Sequence, residues 1–225
     1  MTYTASRLAD LIDGEMEWLS VRAADEVPGP EWIHCGTLLQ DQLAGADPTY
    51  GWRKVLQDQY AEEYSIEPPV RVAAMFVLMW YVSVPSIVAG LSTALTGVSP
   101  DVSPDALAFR RHPTAHYPVE VALLSQRVVT TDEAVRQVES HTRAFTDSYQ
   151  PGVKLSSRQR LGAISDELRA AVQMPEEALH AVAAAEAFRL DLGQTMRTSC
   201  CFVYALPNTN PCSTCPRVSG VKVPI

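Results

Sequence analysis

At 225 residues, of which 47% are apolar and 20% charged, the chain can bury a core without covalent staples. Its formal net charge of -8, with 18 scattered basic residues, argues against a nucleic-acid partner, whose contact surface is normally basic. The N-terminus lacks a basic start, and Asp10, Asp13, Glu15 and Glu17 interrupt any apolar run. No secretion signal is therefore expected, and the reducing cytoplasm is the expected location.

Leu8, Leu11, Ile12, Met16 and Leu19 recur at helical spacing and predict a helix over about Thr4 to Arg22. A Pro/Gly break follows at Glu26 to Trp32, then a short helix at Thr37 to Leu43. Asp47-Pro48 opens a further helix, with Trp52, Val55, Leu56, Tyr60 and Tyr64 on one face, and Pro68-Pro69 close it. Val72 to Pro100 carries no charged residue and is long enough to cross a bilayer. Pro85, Gly90 and the Ser or Thr residues at 83, 86, 92, 93 and 96 favour instead two successive buried helices broken near Pro85, with peripheral contact at the inner membrane left open.

The stretches "DALAFRRH" and "YPVEVALLSQRVV" have strand composition and are separated by "PTA", as in a hairpin. Thr131 is placed to cap a helix bearing Val135, Val138, Phe145 and Tyr149, which Pro151-Gly152 stops. Leu161, Ile164, Leu168 and Val172 mark the next helix. Pro175, with Glu176 and Glu177, suits the first turn of a last one running to about Arg189. The fold class expected is mainly α with a small β element (α+β): one helical domain ending in a cysteine-rich loop.

That loop reads "SCCFVYALPNTNPCSTCPR" and holds four of the five cysteines, Cys200, Cys201, Cys212 and Cys215. In a reducing compartment clustered thiols point to metal ligation or redox chemistry. The CxxC half can turn both thiolates toward one metal, and Pro211 and Pro216 stiffen it. Adjacent side chains in an extended chain diverge, so the Cys200-Cys201 pair suits a two-iron cluster better than one tetrahedral ion. A Cys₄ zinc site and a pair of disulfides remain the alternatives. Zinc ribbons ordinarily use two CxxC knuckles, and this chain has one.

The spacing CC-x10-CxxC resembles the C-terminal signature of the ferric siderophore reductase family typified by FhuF. "RTSCCFVYALPNTNPCSTCP" shares its Arg before the paired cysteines, an aromatic and "LP" between them, and a Pro after the last. The preceding "QRLGAISDELRAAV" is similar to the small-residue helix before that family's cluster. Phe202-Val203 and Asn208-Thr209-Asn210 depart from the basic residue and glycine-rich turn common there. The resemblance covers about Arg160 to Arg217. It implies one domain over 1–225, with a helical/β part over 1–155 and a helical hairpin plus cluster-binding segment over 156–225.

It also implies a [2Fe–2S] cluster on Cys200, Cys201, Cys212 and Cys215, and one-electron reduction of a ferric siderophore, of hydroxamate type by the family. Arg197 and Arg217, flanking the cysteines, are candidates for tuning the cluster or meeting substrate; for each the plain alternative is solvated charge. Neither a GxGxxG nor a P-loop motif occurs, so electrons are expected from a separate donor such as a ferredoxin or a flavoprotein reductase. An iron-sensing or electron-transfer module that turns nothing over is the rival reading. Cys35 reads as a buried, idle thiol, and His112 and His116, interrupted by Pro113, as no metal site.

Overall fold

The computed structural model describes residues 2–218. Among them are seven α-helices and six short strands, so the fold is mainly α with a small β element. Helix α1 (Ala5–Gly14) is capped by Thr4, whose side chain accepts from Arg7 N–H at 3.2 Å. It is shorter than its apolar spacing predicts. Met16 and Leu19 are buried, but by a turn and by the entry to strand β1 (Ser20–Ala23), so the same apolar side chains face the core from another backbone shape. Strand β2 (Trp32–His34) leads directly into α2 (Cys35–Leu43), and α3 (Tyr50–Tyr64) follows.

The uncharged stretch forms one helix, α4 (Val70–Thr96), with Pro85 inside it. The break expected near Pro85 is absent. Tertiary packing on every side outweighs the hydrogen bond that proline removes. The helix is long and apolar enough to cross a membrane, yet 89% of its most apolar window is buried inside the protein. Most of its hydroxyls bond back within the helix: Ser83 donates to Trp80 O, Thr93 to Ala89 O and Thr96 to Ser92 O, while Ser86 Oγ is buried without a hydrogen-bond partner among the described residues. The apolarity of α4 is therefore accounted for by its place at the centre of the core.

After α4 come β3 (Val98–Pro100), β4 (Leu107–Arg111), β5 (Pro118–Leu123) and β6 (Val128–Thr130). The expected hairpin is β4–β5, antiparallel, with a bulge at Arg110/Arg111. It sits in a four-stranded sheet of order β1-β5-β4-β2, in which β1 pairs parallel to β5. β3 and β6 form a separate antiparallel pair. Three- and four-residue strands such as β1 and β2 are too short to show alternation in sequence.

Helix α5 (Thr131–Ser148) is capped by Thr130, one residue before the cap expected. Helix α6 (Ser157–Gln173) opens with a capping box between Ser156 and Gln159. Residues 175–180 are non-helical, with turns at 176–177 and 179–180, and α7 covers only Ala181–Phe188. The proline-led first turn at Pro175 does not propagate, because His180 N–H is held by Ala94 O of α4 at 2.9 Å.

α4 and α6 pack closely. At Gly90 a Cβ would lie 2.8 Å from Ala171 Cβ, so only glycine permits this approach. α6 thus lies between the central helix on one face and the C-terminal cysteine segment on another.

Candidate metal centre

Three small or charged residues of α6, Gly162, Asp166 and Arg169, recur at i, i+4 and i+7 and share one face. Against that face lies the chain just before the paired cysteines. A Cβ at Gly162 would meet Thr198 Cγ2 at 2.9 Å and Ser199 N at 3.0 Å, so the glycine lets two backbones touch. Asp166 is buried. Its carboxylate accepts from Thr198 N–H and Ser199 N–H, each at 2.8 Å, and from Ser199 Oγ–H at 2.7 Å. Arg169, also buried, donates to Asp166 at 2.9 Å and to Met196 O at 3.3 Å. A carboxylate with this many donors and a paired guanidinium is fully satisfied in the interior.

Arg197 joins the same network. It donates to Glu167 at 2.7 Å and lies 3.6 Å from Asp166. Burial opposes its charge, but Glu167 and Asp166 outweigh that and its pKa is raised; burial likewise raises Glu167 despite Arg197. Its backbone N–H donates to Thr214 O at 2.8 Å, tying the segment before Cys200 to the CxxC turn.

Between the two cysteine pairs the chain makes a short 3₁₀ turn at Val203–Ala205. Thr209 Oγ1 lies 2.6 Å from Val203 O and 2.8 Å from Leu206 O, closing the connection. The CxxC half closes with Cys215 N–H on Cys212 O at 2.9 Å. Phe202 takes a left-handed backbone, φ 62°. This aims the N–H groups of Phe202 and Val203 at the sulfurs of Cys200 and Cys201 respectively.

The thiols neighbour one another across the segment, Cys200 with Cys215 and Cys201 with Cys212. Cys212 also feels Cys215, so the four form a continuous ring. Among the described residues no group of three or more His, Cys, Asp or Glu is drawn close enough to hold a metal ion as it stands. Cys200, Cys201 and Cys215 are buried and Cys212 is half-exposed, so one edge of the ring faces outward. Burial pushes the thiols of Cys200, Cys201 and Cys212 up, and the Phe202 and Val203 N–H groups act the other way on the first two. All five cysteines are free thiols.

Residues 197–217 match the family model of the FhuF 2Fe-2S C-terminal domain. The cysteine segment is of the FhuF 2Fe–2S type. Its cofactor is a [2Fe–2S] cluster. A comparison with curated proteins gave no match. The donor set fits the group by its chemistry: four neighbouring thiols are the usual complement of a [2Fe–2S] centre, and N–H groups near sulfur stabilise thiolate.

Of the flanking arginines, Arg197 is committed to Glu167 and Asp166, whereas Arg217 lies over Tyr204, 4.2 Å from its ring centre, and donates to its hydroxyl at 2.9 Å. Cys35, at the start of α2, is fully buried beside Tyr81, and burial pushes its thiol up to about 12. The FhuF-type segment also rests on residues that the sequence reading passes over, Gly162, Asp166, Glu167 and Arg169. In sequence "SDELR" looks like solvated charge. The available signal is the shared face of Gly162, Asp166 and Arg169, a polar stripe with helical period. A cavity of about 200 Å³ between α5, α6 and α7 lies on a different face of α6, lined by Leu161, Ile164 and Leu168, and does not open onto the cysteines.

Proposed function

We propose that this protein is a ferric-siderophore reductase of the cytoplasm, with Cys200, Cys201, Cys212 and Cys215 as ligands of its [2Fe–2S] cluster. The observation that carries the reading is the family-matched segment itself: four thiols gathered in one ring, with Cys212 at its outward edge. Bound there, the cluster supplies a one-electron couple.

The chain's own residues do the rest. Asp166, Arg169 and Arg197 hold the backbone on either side of the cysteine pairs. Leu206 and the apolar core behind Cys201 keep water from the inner side. The half-exposed side at Cys212 is where a substrate or donor can approach. The substrate is an Fe(III) chelate of hard oxygen ligands. On gaining one electron it becomes an Fe(II) chelate, which those ligands hold far less tightly, and iron leaves without cleavage of the chelator. The electron is replaced by an external donor, a ferredoxin or a flavoprotein reductase.

The test is anaerobic. Protein reduced with dithionite and freed of excess reductant is mixed with a ferric siderophore and an Fe(II)-trapping dye. The expected result is return of the oxidised cluster spectrum with about one Fe(II) trapped per cluster. A reduced cluster that persists beside intact ferric chelates of every class would sink the reading and favour a sensing role. Serine at 200, 201, 212 or 215 is expected to abolish or alter the visible spectrum, while Cys35→Ser leaves it unchanged. An unaltered spectrum in Cys201→Ser would overturn the ligand set.

A further inference from the structure

Helix α4 is buried almost throughout, yet two of its three aromatic rings, Phe76 and Trp80, are half-exposed. They lie one turn apart with centroids 5.2 Å from each other. Tyr117 of the β4–β5 loop extends the row, 6.4 Å from Trp80, and Trp18, 46% exposed, sits 6.4 Å beyond it. At its other end the row reaches the cysteine segment. Tyr60 is 6.3 Å from Phe76 and within the field of Cys201, and Arg71 lies 5.5 Å over the ring of Phe202. From Arg71 to Trp80 is nine helical steps, about 14 Å at 1.5 Å per residue. The result is a strip of open aromatic surface that begins beside the thiol ring.

Beneath the strip is a cation without a counter-ion among the described residues. The bulge at Arg110/Arg111 divides the two arginines: Arg110 pairs with Glu120, and Arg111 turns to lie 5.2 Å over the ring of Trp52, which itself stacks on Trp80. Arg111 Nη1 is buried and has no hydrogen-bond partner among the described residues. Burial lowers the pKa of Arg111, and burial, then Arg111 and His112, lower that of the neighbouring His116; among the described residues no carboxylate is seen to act on either. Glu63 acts at the Tyr60–Tyr64 end of the strip. A partly buried guanidinium with one nitrogen sealed from solvent and unpartnered, in a chain of net charge -8, is favoured when something anionic completes it.

We propose that the Phe76–Trp80–Tyr117–Trp18 strip, with Arg111 beneath it, is the docking site of the substrate chelate and selects catecholate-type ferric complexes over hydroxamates. This rests on the reductase reading above. Three catecholates leave Fe(III) with a net negative charge and present flat aryl rings; three hydroxamates leave it neutral and aliphatic. Aryl rings stack on Phe76, Trp80 and Trp18, and the negative charge supplies what Arg111 lacks.

Gallium(III) complexes test binding apart from electron transfer, because gallium is not reduced under these conditions. Isothermal titration calorimetry on the cluster-loaded protein compares a gallium tris-catecholate with a gallium trihydroxamate. The catecholate is expected to bind at least tenfold more tightly. Arg111→Gln should weaken the catecholate at least tenfold and Trp18→Ala several-fold, with the visible cluster spectrum unchanged in both. Trp18 is exposed, so its variant keeps the test alive if Arg111→Gln does not fold. Equal affinity for the two chelates, no binding of either, or wild-type affinity in Trp18→Ala and a folded Arg111→Gln overturns the proposal. Failure of the two readings is distinguishable. Tight catecholate binding with no Fe(III) reduction leaves the site standing and removes the reductase; reduction at equal rates in wild type and Trp18→Ala, with no catecholate preference, does the reverse.

Discussion

At Asp166 a single carboxylate serves two backbone N–H groups, one hydroxyl and one guanidinium. Replacing it with Ala leaves Arg169 buried and unpaired and two N–H groups without acceptors, a loss of the order of 3–5 kcal/mol. Asp166→Asn keeps the shape but puts an NH₂ group against existing donors, so it is expected to cost nearly as much. The expected outcome in both is a lower unfolding midpoint and faster loss of visible absorption in air than in wild type. A variant as slow to bleach as wild type would show that the cysteine segment is held from elsewhere. The residue scale also shows what sequence can carry. The four cysteines are legible because thiols have few other uses at that spacing. Asp166 is not, since a buried carboxylate and a solvated one are the same letter, and only the packing of Gly162 against Ser199 separates them.

At the scale of elements, the helices most visible in sequence are those with a continuous apolar stripe and a hydroxyl cap, α5 and α6 above all. Where the reading failed, context decided. Pro85 does not break α4, because the helix is enclosed and its other backbone groups stay paired. Pro175 does not start α7, because the chain is held to Ala94 before it can coil. β1 exists through its pairing with β5, a partner about 100 residues away by register (Ser20 with Glu120). α6 offers a contrast between two glycine contacts. Gly→Ala in a helix ordinarily gains up to about 1 kcal/mol. Gly162→Ala is expected to forfeit that gain by displacing Thr198 and Ser199, giving a near-wild-type unfolding midpoint with a labile cluster. Gly90→Ala meets Ala171 in the core and the Leu168 carbonyl, so it is expected to lower the midpoint itself, by 1–3 kcal/mol of overpacking. Thermal unfolding beside bleaching kinetics separates the two. The same ranking in both assays would refute the division of α6 into a core face and a cysteine face.

For the whole molecule, the buried polar link between the sheet end and the helical core is His141. Its Nδ1–H donates to Val102 O at 2.9 Å, and its Nε2 accepts from the Tyr81 hydroxyl at 2.9 Å. Tyr81 stacks on Phe145 at 3.7 Å and reaches Cys35, so α2, α4 and α5 meet around one imidazole. Burial holds His141 down, from 6.5 to about 4. The folded state therefore keeps the ring neutral where the unfolded chain has already taken up a proton. Between pH 6.5 and about 4 the unfolded state binds more protons, so this group's contribution is full above 6.5 and is lost as pH falls toward 4. The difference of about 2.5 units corresponds to about 3 kcal/mol. Carboxylates held low by arginines, such as Asp47 and Glu120, also weaken the fold in acid, so wild type alone does not isolate the effect. The comparison is with His141→Gln, in anaerobic urea unfolding followed by circular dichroism. Wild type is expected to lead at pH 7 and to lose most of that lead by pH 4.5. A lead that stays constant across that range would mean that His141 is protonated in the folded protein, with Tyr81 and Val102 both accepting from it.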